Sequence, residues 1–270
     1  MKLGEALQLK DKAVIAMVHV RALPGTPCSS LAIDQIAEQA VTEAKTLADA
    51  GFDALIVENM HDRPYLLRDV GPEITASMTR VAVEIRRAIG LPLGVQILAG
   101  ANNAAMAVAK ASGAQFIRAE GFVFAHVADE GIMTEAAAAQ LLRYRKQIGA
   151  EDIAVIADIK KKHSSHAITA DVDLEETANA AAFFGADGVI VTGSATAQAA
   201  TVADVSCAAK SGLPVIVGSG LSPANLADYW PHADAFIVGS ALKHDGEWSN
   251  SLDSERITAF MDKTRDLREA

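Results

Sequence analysis

The sequence predicts one eight-stranded parallel βα barrel, and three observations predict it. Short β-branched apolar runs recur eight times, each followed by an Ala-rich stretch with helical periodicity. Half of the 270 residues are hydrophobic and only 5% are aromatic, so the core must be built from Ala, Val, Ile and Leu. Two small-residue turns, Val217-Gly218-Ser219-Gly220 and Val238-Gly239-Ser240-Ala241, close the last two apolar runs. Such barrels keep a phosphate site there.

The strands are expected at Val14–Val18, Ala54–Val57, Leu93–Ile97, Phe116–Ala119, Ile153–Ala157, Gly188–Val191, Pro214–Val217 and Ala235–Val238. They are apolar throughout, as strands covered on both faces are. The helices between them are expected at Asp34–Ala50, Thr75–Ile89, Asn102–Ser112, Glu135–Ile148 and Asp173–Phe184, with a stop glycine after each at Gly51, Gly90, Gly113, Gly149 and Gly185. Thr201–Ser211, Pro223–Trp230 and Asp253–Leu267 complete the set, and Ser222-Pro223 reads as an N-cap followed by a first-turn proline. The rival is an open doubly wound sheet. Its glycine fingerprint belongs after the first strand, where this chain has His19-Val20-Arg21-Ala22-Leu23-Pro24-Gly25, and Pro223 falls where a third glycine would follow Gly218 and Gly220. One domain over 1–270 is expected, with 1–12 preceding the first strand.

A formal net charge of -10 argues against a nucleic-acid partner, and the one dense basic run, Lys160-Lys161-Lys162-His163, is too short to track a phosphate backbone. Cys28 and Cys207 have no metal-site spacing. No apolar run is of membrane-spanning length and the first residues lack a signal-peptide core, so the expectation is a cytoplasmic protein without a membrane partner. A helix-rich exterior offers surface for a homo-oligomer.

Chemistry in a βα barrel sits at the C-terminal strand ends. Read in order, the polar residues there are His19, Glu58 with Asn59, Gln96, Arg118 with Glu120, Asp158 with Lys160 and Lys162, Thr192 with Ser194, Ser219, and Ser240. Asp158, Lys160 and Lys162 share one parity and point to one side if the strand stays extended. With Glu58 and His19 they are the candidate catalytic set. Lysine beside carboxylate can hold a phosphate, move a proton or form a Schiff base. Gly218, Ser219, Gly220, Gly239 and Ser240 are the candidate phosphate cradle, extended by Gly193 and Ser194, since uncovered backbone N–H groups bind anions. Asn59, Gln96, Arg118, Glu120 and His163 are candidate substrate contacts. No cofactor is required by this reading; the alternative is that His19, Glu58 and Asp158 hold a divalent Mg, Mn or Zn ion for hydrolysis.

Several of these stretches together resemble one family. Met17-Val18-His19 with Leu23-Pro24-Gly25, Val57-Glu58-Asn59 with Asp62-Arg63-Pro64, Phe116-Ile117-Arg118, Ala157-Asp158 with Lys162-His163, and Val217-Gly218-Ser219-Gly220 resemble the BtpA family, including its SgcQ-like members. The resemblance runs from Ala13 to Arg256. It implies a barrel of the ribulose-phosphate-binding type and a phosphate site, without supplying a reaction. Two stretches depart from the family pattern. Gln96-Ile97-Leu98-Ala99-Gly100-Ala101-Asn102-Asn103 replaces Asn-Val-Leu-Arg-Asn-Asp, and Glu120 stands where the family usually carries Asn.

The expected function is therefore an isomerase, epimerase, aldolase or lyase acting on a small phosphorylated sugar or related metabolite. Metal-dependent hydrolysis is one alternative. A non-catalytic assembly or regulatory factor on the same scaffold is the other.

Overall fold

The computed structural model describes residues 12–193 and 199–270. Its strands are β1 (Ala13–His19), β2 (Ala54–Glu58), β3 (Leu93–Gln96), β4 (Phe116–Ala119), β5 (His126–Ala128), β6 (Gly131–Met133), β7 (Ala154–Ile159), β8 (Ser164–Ser165), β9 (Gly188–Val191), β10 (Val215–Val217) and β11 (Ala235–Val238). Eight of them close a parallel barrel in the order β1-β11-β10-β9-β7-β4-β3-β2. The expected barrel is therefore present.

The helices are α1 (Ile33–Asp49), α2 (Pro72–Ala88), α3 (Asn102–Ser112), α4 (Ala138–Gln147), α5 (Leu174–Phe183), α6 (Val202–Ala209), α7 (Leu226–Tyr229) and α8 (Ser254–Glu269). Three expected first residues are N-caps instead: the side chains of Asp173, Thr201 and Asp253 accept from backbone N–H groups of the turn that follows. Ser222 does not cap α7. Asn225 takes the Ser222 N–H at 2.8 Å and donates to Gly220 O at 2.9 Å, which ties Pro223 into a turn and delays the helix. Nor is Gly90 a left-handed stop, because α2 ends on an extended Ile89.

Strand parity builds the interior and the mouth in one stroke. Ile15, Ile56, Phe116, Ile156, Ile190, Ile216 and Ile237 fill the barrel, while Val14, Val18, Leu55, Val57, Val95 and Val155 pack outward under the helices. Gly94 yields its space to Phe116, whose ring would lie 2.3 Å from an added Cβ. Two residues beyond the inward apolar positions lie His19, Glu58, Arg118 and Asp158, so the polar layer is the next storey of the same stack. Register aligns its first members, pairing His19 with Glu58 and Glu58 with Gln96.

The sequence reading missed one feature, a small antiparallel sheet ordered β6-β5-β8. Ala137 and Ala138 donate to Gly121 O and Phe122 O, so residues 121–137 are drawn back on themselves and α4 begins at Ala138, later than expected. Among the described residues, no helix is long and apolar enough to cross a membrane.

Candidate active site

A cavity of about 470 Å³ opens at the C-terminal ends of the barrel strands. His19, Glu58, Gln96, Arg118, Glu120, Asp158, Lys162 and His163 line it, together with Gly218, Ser219, Gly220, Gly239 and Ser240. Of the expected members, Asn59, Lys160 and Gly193 are not in this lining. Asn59 is turned into the wall, donating to Asp62 Oδ2 at 2.8 Å and accepting from Leu98 N–H at 2.8 Å, so it braces loops instead of meeting a ligand. Gly193 N–H donates to Ser219 Oγ at 3.3 Å and is outside the cavity lining. Ser194 lies outside the described residues.

The floor is a pair of buried charges. Arg118 donates through Nε and Nη2 to both oxygens of Asp158, at 3.0 and 3.2 Å. Burial opposes the charge of Arg118, yet Asp158 and Glu58 hold it above the ordinary arginine value. Burial likewise raises Asp158, while the Arg118 fork pulls against it. We take the pair as guanidinium and carboxylate, because a two-pronged contact of this kind requires both charges.

Beside it His19 and Glu58 face each other. Burial, aided by Lys243, lowers His19 to about 3, which keeps its ring neutral. His19 Nδ1 lies 3.2 Å from Trp248 O, and a carbonyl can only accept, so Nδ1 carries the hydrogen. Nε2 is then a bare lone pair, 3.8 Å from Glu58 Oε2. Burial raises the Glu58 carboxyl above its ordinary value, and its Oε2 faces that lone pair. The two can exchange a proton with a substrate placed between them.

The three lysines divide in a way parity did not anticipate. β7 ends at Ile159, and Lys160 takes a left-handed φ of 46°. That twist carries its ammonium out to Val172 O, away from the main cavity. Lys160 is therefore withdrawn from the catalytic set. Lys161 turns inward instead, donating to Glu120 Oε1 at 3.2 Å and standing 3.9 Å from Glu130 Oε2. Although burial works against it, Glu120 and Glu130 hold its charge. Lys162 reaches the cavity with no salt-bridge partner within 4.0 Å among the described residues, and burial followed by the nearby Arg118 lowers its pKa. A lysine of that kind is a usable base or nucleophile.

His19, Glu58 and Asp158 do not form the alternative metal set. Both Asp158 oxygens are committed to Arg118, and no group of three or more His, Cys, Asp or Glu side chains suited to a metal occurs among the described residues.

Opposite, the mouth is walled by Gly218 to Ser222 and Val238 to Ala241. Their glycines also serve packing. A Cβ on Gly218 would lie 2.3 Å from Ile190 Cγ2, and one on Gly239 would lie 3.2 Å from His19 Cε1. Loop residues that strand-end reasoning could not find complete the rim: Met60, Arg63, Tyr65, Glu130 and Trp248. Arg63 lies 4.8 Å over the Trp248 ring, whose carbonyl fixes the His19 tautomer.

Residues 10–266 match the BtpA family. The chain belongs to that family. A mitochondrial, uncharacterised BtpA-family relative from Caenorhabditis elegans, F13E9.13, is 46% identical over 94% of each chain. The photosystem I biogenesis protein BtpA of Synechocystis is 32% identical, over 92% of this chain and 86% of its own. Among solved structures, phosphoribosyl anthranilate isomerase from Thermus thermophilus superimposes with a TM-score of 0.59 at 15% identity, covering 95% of this chain and 100% of that one. Orotidine 5'-phosphate decarboxylase from Pyrococcus horikoshii gives 0.58 at 14% identity, covering 93% and 99%. These likenesses establish the barrel fold.

Gln96 and Glu120 line the cavity, and Asn102 clamps the Glu120 backbone by donating to its carbonyl at 2.8 Å and accepting its N–H at 3.1 Å. The start of α3 thus positions Glu120.

Proposed function

We propose that this BtpA-family chain is an enzyme that holds a small phosphorylated sugar and moves a proton beside its carbonyl. The observation that carries the reading is the arrangement of one cavity: Glu58 and His19 face each other, Lys162 makes no salt bridge within 4.0 Å among the described residues, and the opposite wall is the Gly218-to-Ser222 and Gly239-Ser240 backbone. The wall offers small residues where a phosphate needs close approach. Arg118, with Nη1 left over after binding Asp158, is placed to steady the negative oxygen of an enediol or enolate. Glu58 then supplies or takes the proton, with His19 as its relay. The fold-level likeness to the isomerase and decarboxylase named above supports the phosphorylated-ligand class only by analogy.

The test is exchange of carbon-bound hydrogen. Pentose and hexose phosphates incubated with the full chain in D₂O should incorporate deuterium next to the carbonyl, and Glu58→Gln should abolish incorporation. Borohydride separates the reaction classes: a reduced adduct on Lys162 indicates a lyase using a Schiff base, whereas exchange without an adduct indicates an isomerase or epimerase. If no sugar phosphate exchanges, the enzyme reading fails. The name of the Synechocystis relative favours a second reading, a non-catalytic assembly factor. Under it, Asp158→Asn leaves the biological role intact provided the chain still folds.

A further inference from the structure

One side of the cavity carries side-chain oxygens that accept no hydrogen bond from the described residues. Gln96 Oε1, Glu120 Oε2 and Glu130 Oε2 are buried without a hydrogen-bond partner, and all three residues line the cavity. His126 Nε2, which shares that state, borders a separate small space beneath the β5–β6 hairpin. Buried acceptors left open cost stability unless a ligand or water completes them. Three of them gathered at one wall describe the ligand that faces it.

These oxygens come from three separate elements. Gln96 ends β3, Glu120 follows β4, and Glu130 lies in the turn between β5 and β6. Lys161 sits between the two carboxylates, 3.2 Å from Glu120 Oε1 and 3.9 Å from Glu130 Oε2, and leaves Glu120 Oε2 without a hydrogen bond. The amide of Gln96 can be turned over, but a carboxylate accepts in either orientation. In the eight-strand order, β3 and β4 lie diametrically across from β10 and β11. The acceptor wall and the glycine-serine wall are therefore the two ends of one elongated site.

We infer that the end of the substrate remote from its phosphate is a neutral run of adjacent hydroxyl groups, received by Gln96, Glu120 and Glu130, and that a carboxylate there is rejected. The inference rests on the phosphate reading only for the direction in which the ligand lies. Each hydroxyl brings the donor that an open acceptor lacks. A carboxylate brings only acceptors, so it leaves these oxygens unsatisfied and is disfavoured by hydrogen bonding. Within the proposed function, this selects aldose and ketose phosphates over phosphorylated sugar acids.

Calorimetry of the full chain with four unreactive probes tests the inference: ribitol 5-phosphate, pentyl phosphate, ribitol and 5-phosphoribonate. Ribitol 5-phosphate should bind most tightly, with pentyl phosphate and 5-phosphoribonate each weaker by at least about tenfold. Glu130→Gln, on a loop outside the barrel strands, should narrow the gap between 5-phosphoribonate and ribitol 5-phosphate, since the new amide can donate. Circular dichroism checks that the variant is folded, and Glu120→Gln repeats the test at the second carboxylate. Pentyl phosphate binding as tightly as ribitol 5-phosphate would overturn the inference while leaving the phosphate reading standing. So would preference for 5-phosphoribonate, or failure of both ribitol probes to bind. Ribitol binding as tightly as ribitol 5-phosphate while pentyl phosphate fails would overturn the phosphate reading and uphold the hydroxyl wall.

Discussion

The half of the barrel mouth built by β1 to β4 and β7 presents its polarity as side chains, whereas the half built by β10 and β11 presents backbone and three serines. On the first half most polar groups face one another: Arg118 pairs with Asp158, Lys161 with Glu120, and Glu58 faces His19, while Lys162 makes no salt bridge among the described residues. On the second half the constraint is shape, since Gly218 has Ile190 against the place a side chain would fill. The contrast separates reacting from anchoring. A buried charged set keeps fixed geometry but is costly to disturb, while a glycine wall tolerates ligand approach because it has nothing to move aside.

The sharpest break of this contrast is Arg118→Met, which strands the Asp158 carboxylate in a buried site. Loss of one partner of such a pair should cost about 3–5 kcal/mol in urea unfolding at pH 7. Adding Asp158→Leu should recover much of that loss, because the desolvated charge is then gone. A single substitution costing under about 1 kcal/mol would mean the charged half is not locked by its pairs.

Acid should weaken the same half through histidine. His19 is held at about 3, below its unfolded value near 6.5, so above that value both states are neutral and nothing is linked to pH. As pH falls below it, the unfolded chain takes a proton that the folded chain refuses, and stability drops by about 1.4 kcal/mol per unit. By pH 5 the loss from His19 amounts to about 2 kcal/mol. His61 and His126, both lowered to about 4 chiefly by burial, act in the same direction. Glu58, raised by burial, acts oppositely, its contribution being lost as pH rises through its folded value. His19→Asn should therefore shrink the stability difference between pH 7 and pH 5 by about 2 kcal/mol. An unchanged difference would show that the ring is already charged in the folded protein.

The barrel was legible because its signal is periodic. On β1 to β4 and β7 each apolar run ends in a polar residue, and His19, Glu58, Gln96, Arg118 and Asp158 are read from those strand ends. The rule ends where the strand ends. Glu130, Tyr65, Arg63 and Trp248 reach the cavity from loops, whose path depends on contacts distant in sequence, such as the pairing of Val127 with Ser165. Asn59 failed for a related reason. It follows Glu58 at the strand end, but opposite parity turns it outward to Asp62 and Leu98.

The smallest expected effect separates two lysines that neighbour the same residue. Lys160 and Lys162 share parity in the sequence, yet the left-handed φ at Lys160 sends one ammonium to Val172 O and leaves the other in the cavity. Lys160→Ala removes one hydrogen bond to a backbone carbonyl, so its cost in urea unfolding should stay near about 1 kcal/mol or less, with ribitol 5-phosphate affinity and hydrogen exchange unchanged. Lys162→Ala should leave unfolding equally little altered, because no salt bridge within 4.0 Å among the described residues is lost, while exchange or adduct formation disappears. Matching losses of exchange in the two variants would restore Lys160 to the site and show that the strand stays extended past Ile159 when a ligand is bound.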